Sequence, residues 1–187
     1  MPANVTIPRL EDPPLLLRSF LDEDIPVIQE AATDPLIPLT TTVPTTTDAA
    51  AALAFIERQR SRAASGQGYS FAVADSTTGE AVGQIGLWLR DLSEGRATVG
   101  YWIAASRRRQ GWAGRALAVV SSWGLQLPGV HRLQLYVEPW NAGSCRAAEG
   151  AGYQREGLLR SWQQVGDQRR DMYMYSLVKS DGYRASV

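Results

Sequence analysis

A chain of 187 residues, 44% apolar and 20% charged, has the composition of an ordinary folded protein and excludes the disordered and fibrous classes. Nineteen basic residues balance nineteen acidic ones, so no overall field draws in nucleic acid or an anionic membrane, and any anion site has to be local. A single cysteine excludes a disulfide-stapled scaffold and fits a reducing compartment, the cytoplasm, while one histidine and one cysteine leave no usual ligand set for a catalytic metal.

The length fits one domain over residues 1–187, with 1–13 as a proline-marked lead-in. That lead-in lacks a basic start followed by an apolar run, and no stretch approaches the roughly 18–20 apolar residues of a membrane span, so a soluble, unprocessed chain is expected. Residues 15–20, LLLRSF, read as a strand, and the following LDEDIPVIQEAA as a helix capped by Asp22. Three prolines and seven threonines in TDPLIPLTTTVPTTT, residues 33–47, predict a long surface loop. Asp48 then caps an alanine-rich helix that stops near Gly66 and Gly68.

The period changes next. YSFAVAD (69–75) and AVGQIGLWLR (81–90) form a hairpin through STTGE. In the fourth strand, ATVGYWIA (97–104), Val99, Tyr101 and Ile103 face one side of the sheet and Thr98, Gly100 and Trp102 the other. From Gly111 a helical stripe runs through Ala113, Ala116, Leu117, Val120 and Gly124 and ends before Pro128. HRLQLYVEP (131–139) is the fifth strand, AGSCRAAEGAG a short helix, and YQREGLLRSWQ and RDMYMYSLV the last two strands around Gly166. The order implies an α/β fold with a mixed sheet of about seven strands, about four helices on its two faces, and a crossover joining the fourth strand to a parallel or splayed fifth.

RRRQGWAGRAL (107–117) carries the chemistry. A strand that enters a helix through a glycine exposes unpaired N–H groups, and the helix dipole adds about half a positive charge there. Phosphate suits such a site, with Gly111 admitting it close to the backbone and the arginines adding charge-assisted contacts. No triphosphate-loop or dinucleotide glycine pattern is present. Read alone, the arginine run is a solvated surface stretch; the absence of interleaved aromatics argues against nucleic acid.

RRQGWA (108–113) resembles the Arg/Gln-x-x-Gly-x-Gly/Ala pattern of the GCN5-related N-acetyltransferases (GNAT). NAGSCRAAEGAGYQREGLLR (141–160), RDMYMYSL and LLLRSFLDEDIPVI are similar to the branch that acetylates ribosomal-protein N-termini, so the likeness spans nearly the whole chain. It implies a mostly antiparallel mixed sheet splayed between its fourth and fifth strands, and acetyl-CoA as acyl donor. Its pantetheine arm would pair with main chain around Tyr101, Trp102 and Ile103, and its pyrophosphate would lie in a loop that includes Arg108, on the amides of Arg109, Gln110, Gly111, Trp112, Ala113 and Gly114. The resemblance further implies that Asn141 bonds the pantetheine and that Ser144 is a general acid for the departing thiolate. The acceptor implied is a primary amine, on a protein or peptide N-terminus, on a small molecule such as an antibiotic or polyamine, or none in a CoA-binding regulatory module; a homodimer is common in the family.

The sequence departs from that pattern at Ala148, where many relatives carry an acidic tyrosine, at Arg109 and Arg115, which stand for a glycine and a glutamate, and at Tyr153, for a phenylalanine. A left-handed residue at 109 would cost arginine about 1 kcal/mol. Ser144 reads equally as a helix cap. Cys145 lacks a partner histidine, since His131 stands at a strand start with a structural role. Glu138, ahead of Glu94 and Asp91, is the candidate to take a proton from the substrate ammonium. The tryptophans are read as core or rim residues, with Trp140 at the acceptor entrance.

Overall fold

A computed structural model describes residues 7–180. In chain order it contains β1 (Leu10–Asp12), β2 (Leu15–Arg18), α1 (Ile25–Ala32), α2 (Ile37–Thr40), α3 (Ala49–Ser61), β3 (Gly68–Asp75), β4 (Ala81–Trp88), β5 (Arg96–Ile103), α4 (Trp112–Gly124), β6 (Arg132–Val137), α5 (Ala142–Gly150), β7 (Gln154–Val165) and β8 (Gln168–Val178). The strands form one sheet in the order β1-β2-β3-β4-β5-β6-β8-β7. Every neighbouring pair is antiparallel except β5 and β6, which are joined through α4 and lie parallel. The chain therefore has the mixed, mostly antiparallel α/β architecture expected of it.

The alternation within β5 divides the core in two. Val99, Tyr101 and Ile103 join Leu15, Phe71, Ile85 and Leu133 under α4, whose Trp112, Ala116, Leu117 and Val120 are buried there. Gly124 closes that face: a Cβ on it would come within 2.6 Å of Leu87 Cδ1, so only a bare backbone lets the end of α4 sit this close to the sheet. On the other face Trp102 and Ala72 pack with Ile28 of α1, Ile37 of α2, and Phe55 and Ile56 of α3.

Eight strands replace the expected seven because Leu10–Asp12, read as lead-in, pairs with Leu15–Leu17. The fifth helix is α2, a single turn inside the stretch expected to be loop; Ile37 and Val43 are buried, and that apolar anchoring overrides the breakers around them. Asp22 is not the cap of α1. It begins a 3₁₀ turn over Asp22–Asp24, and the buried Asp24 takes the amide of Leu21 at 2.8 Å and both terminal nitrogens of Arg18 at 2.7 and 2.8 Å. Asp48 does cap α3, accepting from the amide of Ala51 at 3.0 Å, but α3 ends at Ser61 and irregular turns carry the chain to Gly66. Residues 1–6 of the expected lead-in lie outside the described residues. Among the described residues no helix is long and apolar enough to cross a membrane.

Candidate active site

Two local features set the site. The first is the break in the sheet. β5 and β6 pair only at Arg96↔Arg132, Ala97↔Leu133 and Thr98↔Gln134, while β5 runs on to Ile103 and β6 to Val137. Past Thr98 the two strands diverge, leaving one edge of each without a strand partner among the described residues. On its other side β5 stays paired to β4 from Thr98 to Ile103, which holds that free edge straight.

The second feature is the loop from β5 into α4. After a 3₁₀ turn over Ala105–Arg107, Arg109 and Gly111 take positive φ values of 62° and 83°, and α4 starts at Trp112 with no side-chain cap. Alternation of left-handed residues turns successive amides into one concavity. Among the described residues, none of the amides from Arg109 to Gly114 donates to a protein acceptor; the first helical bond is that of Arg115 to the Gly111 carbonyl at 3.2 Å. Space in front of the loop is open, since a Cβ on Gly111 or Gly114 would meet no atom within 4 Å. Bare, convergent amides with a helix dipole behind them fit an anion such as a pyrophosphate. Arginine at 109 costs about 1–2 kcal/mol in this conformation.

Arg107 and Arg108 hold the loop. Arg107 is paired with Glu80, and Arg108 donates through Nε to the Ile103 carbonyl at 3.0 Å and is paired with Asp34. The Arg108 amide, too, is used, on the Ala105 carbonyl. Glu30 of α1 accepts from the amide and hydroxyl of Ser106 at 2.8 and 2.9 Å. Burial works against ionisation of Asp34, but the amides of Leu36 and Ile37 and the Arg108 guanidinium outweigh it and hold that carboxyl below the usual range. Gln110 accepts from the Trp112 indole at 3.2 Å, and Trp112 itself is buried beneath the helix start. Arg115, on the next turn, lies 3.6 Å from Asp12.

A cleft of about 720 Å³ occupies the splay. Of the residues singled out in the sequence, Tyr101, Trp102, Glu138, Asn141 and Ser144 line it; Arg108 to Gly114 and Ile103 do not, the loop standing beside the cleft. Asn141 is the N-cap of α5, its Oδ1 accepting the Ser144 amide at 3.0 Å. That assigns the capping role to Asn141 and not to Ser144, which stands one turn into the helix. The buried Ala148 supplies no hydroxyl. Glu138 accepts from the Trp140 indole at 2.7 Å and lies 3.9 Å from the Arg170 guanidinium, with its side chain 11% exposed. Asp91 lines the cleft, whereas Glu94 and Trp140 do not; Trp140 is spent on Glu138. Tyr153 is buried with its hydroxyl 2.8 Å from that of Ser121.

Tyr101 apart, several of the groups that shape the cleft carry no local signal in the sequence. The Tyr101 hydroxyl reaches the Ser144 carbonyl at 3.5 Å; burial pushes its phenol pKa up, so it stays protonated at neutral pH. Trp162 faces Tyr136 with ring centroids 5.3 Å apart. Leu39 to Thr42, Arg62, Trp88 and Gln163 complete the far wall, so the stretch 33–47 and the β7–β8 hairpin do border the cleft. On the face of the sheet away from α4, Gly100 stands opposite Gly86, exposed and with nothing within 4 Å of a Cβ, which leaves a bare floor in mid-sheet. Beside that floor, on the same face of the sheet, the Gln59 side-chain carbonyl collects Arg62 Nε at 2.8 Å, Gln84 Nε2 at 3.0 Å and Ser70 Oγ at 3.2 Å, and Gln84 Oε1 takes the Trp102 indole at 2.7 Å. This buried network fixes Trp102 and Arg62 relative to the floor.

Residues 14–154 match the family model of the acetyltransferase (GNAT) domain. The chain is 28% identical over 167 residues to the uncharacterized N-acetyltransferase p20 of Bacillus licheniformis, covering 89% of this chain and 94% of that protein. It superposes on Mycobacterium smegmatis RimJ in complex with CoA-disulfide with a TM-score of 0.78 and 23% identity, covering 95% and 89% of the two chains. It also superposes on the ribosomal-protein-S5-alanine acetyltransferase of Vibrio fischeri with a TM-score of 0.73 and 15% identity, covering 93% and 98%. At these identities the structural likenesses show a shared fold.

Proposed function

The chain belongs to the acetyltransferase (GNAT) domain family and is an N-acetyltransferase, and on that premise we propose that it transfers acetyl from acetyl-CoA directly to a primary amine at a protein or peptide N-terminus. The observation that carries this reading is the set of unbonded amides from Arg109 to Gly114 beside a sheet that opens past Thr98. The amides take the pyrophosphate, and the free edge of β5 beyond Thr98 pairs with the pantetheine amides as an added strand would. The acetyl carbonyl then lies against β5 near Gly100 and Tyr101, with the bare floor at Gly100 admitting the amine from the opposite face.

The chain's chief contribution is positioning: holding amine and carbonyl together in line accounts for up to roughly 7–11 kcal/mol of a barrier in favourable cases. The N–C bond forms as the C–S bond breaks. Glu138, through water, takes the proton the nitrogen loses, and Ser144 gives one to the leaving thiolate; Tyr101, protonated and adjacent to Ser144, is a further hydroxyl lining the cleft. A peptide N-terminus is favoured over a compact amine because the cleft, at about 720 Å³, is roomy and extends along Thr40–Thr42 and Trp162–Gln163. The S5-alanine acetyltransferase of Vibrio fischeri, of the same fold, supports it. Thiol release from acetyl-CoA over a panel of peptides and small amines tests the proposal. Turnover on peptide N-termini above that on polyamines and aminoglycosides is expected; binding of acetyl-CoA without turnover on any amine would overturn it.

A further inference from the structure

We propose that the far end of the acceptor cleft is an anion-recognition subsite, in which Arg62, assisted by Arg90, selects amines that carry a carboxylate or phosphate several bonds from the reacting nitrogen. This rests on the transferase reading above and names the acceptor class that it leaves open.

Arg62 caps the end of α3 and is half-buried. Its Nε is fixed on the buried Gln59 carbonyl at 2.8 Å, and its guanidinium lies 5.2 Å from the Trp88 ring centroid. Trp88 is held flat in turn, for its ring covers Gly86 so closely that a Cβ there would come within 1.4 Å of it. The guanidinium is thus oriented by two contacts, lines the cleft and keeps N–H donors to spare. Arg90 lines the same wall, and neither arginine has an ion-pair partner among the described residues.

Nearby charges reinforce the asymmetry. Besides burial, Arg58 and Arg90 depress the Arg62 pKa, so the local field on it is positive. Asp91, the one carboxylate on this wall among the described residues, acts on Tyr136 and, after burial, helps raise that phenol. Glu138 lies at the opposite end, tied to Trp140 and Arg170. A half-buried guanidinium without a counter-ion is costly unless a ligand supplies one. The spacing is set by the sheet: Trp88 pairs with Thr98, two residues before Gly100, or about 7 Å along a strand. An α-carboxylate is too near the nitrogen to span that gap, whereas an acidic second residue of a peptide or an ω-carboxylate or phosphate reaches it. The same field disfavours polyamines.

The test uses the purified full chain with saturating acetyl-CoA and matched acceptors: Ala-Glu amide against Ala-Gln amide, 5-aminopentanoate against 5-aminopentanamide, and 4-aminobutyl phosphate against 4-amino-1-butanol. At least one anionic member is expected to exceed its neutral partner in kcat/KM by about tenfold or more, the carboxylate and phosphate pairs showing which anion is preferred. Arg62→Gln should bring that ratio close to one with the acetyl-CoA dissociation constant unchanged, and Arg62→Lys should restore part of it. Arg90→Gln, an exposed and unpaired position, should lower the ratio without affecting folding and keeps the test decisive if Arg62→Gln is unstable. Equal use of both members of every pair, or a preference that is undiminished in Arg62→Gln or in Arg90→Gln, overturns the subsite and leaves the transferase reading standing. No thiol release with any amine, with acetyl-CoA bound, overturns the transferase reading first.

Discussion

Replacing Gly111 by tryptophan separates the anion cradle from the rest of the fold. Gly111 has φ of 83° and a Cβ placed on it meets nothing within 4 Å, so any side chain there fits but is strained. The left-handed penalty for an L-residue is about 1–2 kcal/mol, and for a chain of this size that lowers Tm by roughly 2–8 °C. An indole standing in front of the bare amides of Arg109 to Gly114 denies them the pyrophosphate. Losing two charge-assisted bonds of about 1.5–3 kcal/mol each weakens binding by ~3–6 kcal/mol, or about 10²- to 10⁴-fold in Kd. Titration calorimetry of acetyl-CoA with the folded variant reads this directly. Gly111→Ala is the control: it carries the same backbone strain and the same loss of Tm, but its small side chain should weaken binding less than about tenfold. A tryptophan variant that binds acetyl-CoA within about threefold of the parent chain would refute the placement of the pyrophosphate.

Ser144→Ala is expected to lower kcat and leave the acetyl-CoA Kd unchanged, because the helix cap belongs to Asn141; if Tyr101→Phe shows that pattern and Ser144→Ala does not, the proton comes from the phenol. Gln59→Leu strips the shared acceptor from the half-buried Arg62 and from the buried Ser70 and Gln84, and at about 1 kcal/mol or more for each of the two buried donors left unmatched it should cost ~2 kcal/mol, a fall in Tm on the order of 4–8 °C by calorimetry; a change under about 2 °C would mean that the network is not buried as described. Glu156 shows a pH dependence: hydrogen bonds from Arg132 and from Ser176, with charge attraction adding, bring its pKa from 4.5 to about 2. The unfolded chain therefore takes up the proton first as pH falls, and the stabilisation is whole above pH 4.5 and lost on the way down to 2. Denaturant titrations of Glu156→Gln should show lower stability at neutral pH and a shallower loss across that acid window, and an identical acid slope would exclude the assignment.

The order of elements and the loop at Arg107–Leu117 were legible in the sequence because both are set by short-range physics. Period-2 alternation in β5, the helical stripe of α4, the cap at Asp48 and a glycine where the chain must take positive φ all act within a few residues of one another. The same locality misled at two places. Asp22 has a cap's chemistry, but Arg18, at the end of β2, is paired with Asp24 instead, and the run 33–47 has a loop's composition, but Ile37 and Val43 find burial that only packing supplies. Arg107 and Arg108 read as anion ligands because their partners Glu80 and Asp34 lie 27 and 74 residues away along the chain.

Tertiary structure alone decided the shape of the cleft. How far β5 and β6 stay paired cannot be read from either strand, and it is the loss of pairing after Thr98 that opens the space. Arg62, Trp88, Trp162 and the stretch Leu39–Thr42 come to that space from separate elements, each without a pattern of its own. A helix start can be written in six residues because its unpaired amides are a property of the backbone at that point. A wall built from β4, β5, the end of α3 and the β7–β8 hairpin depends on which faces the sheet presents to one another, and that is determined only when the whole chain has packed.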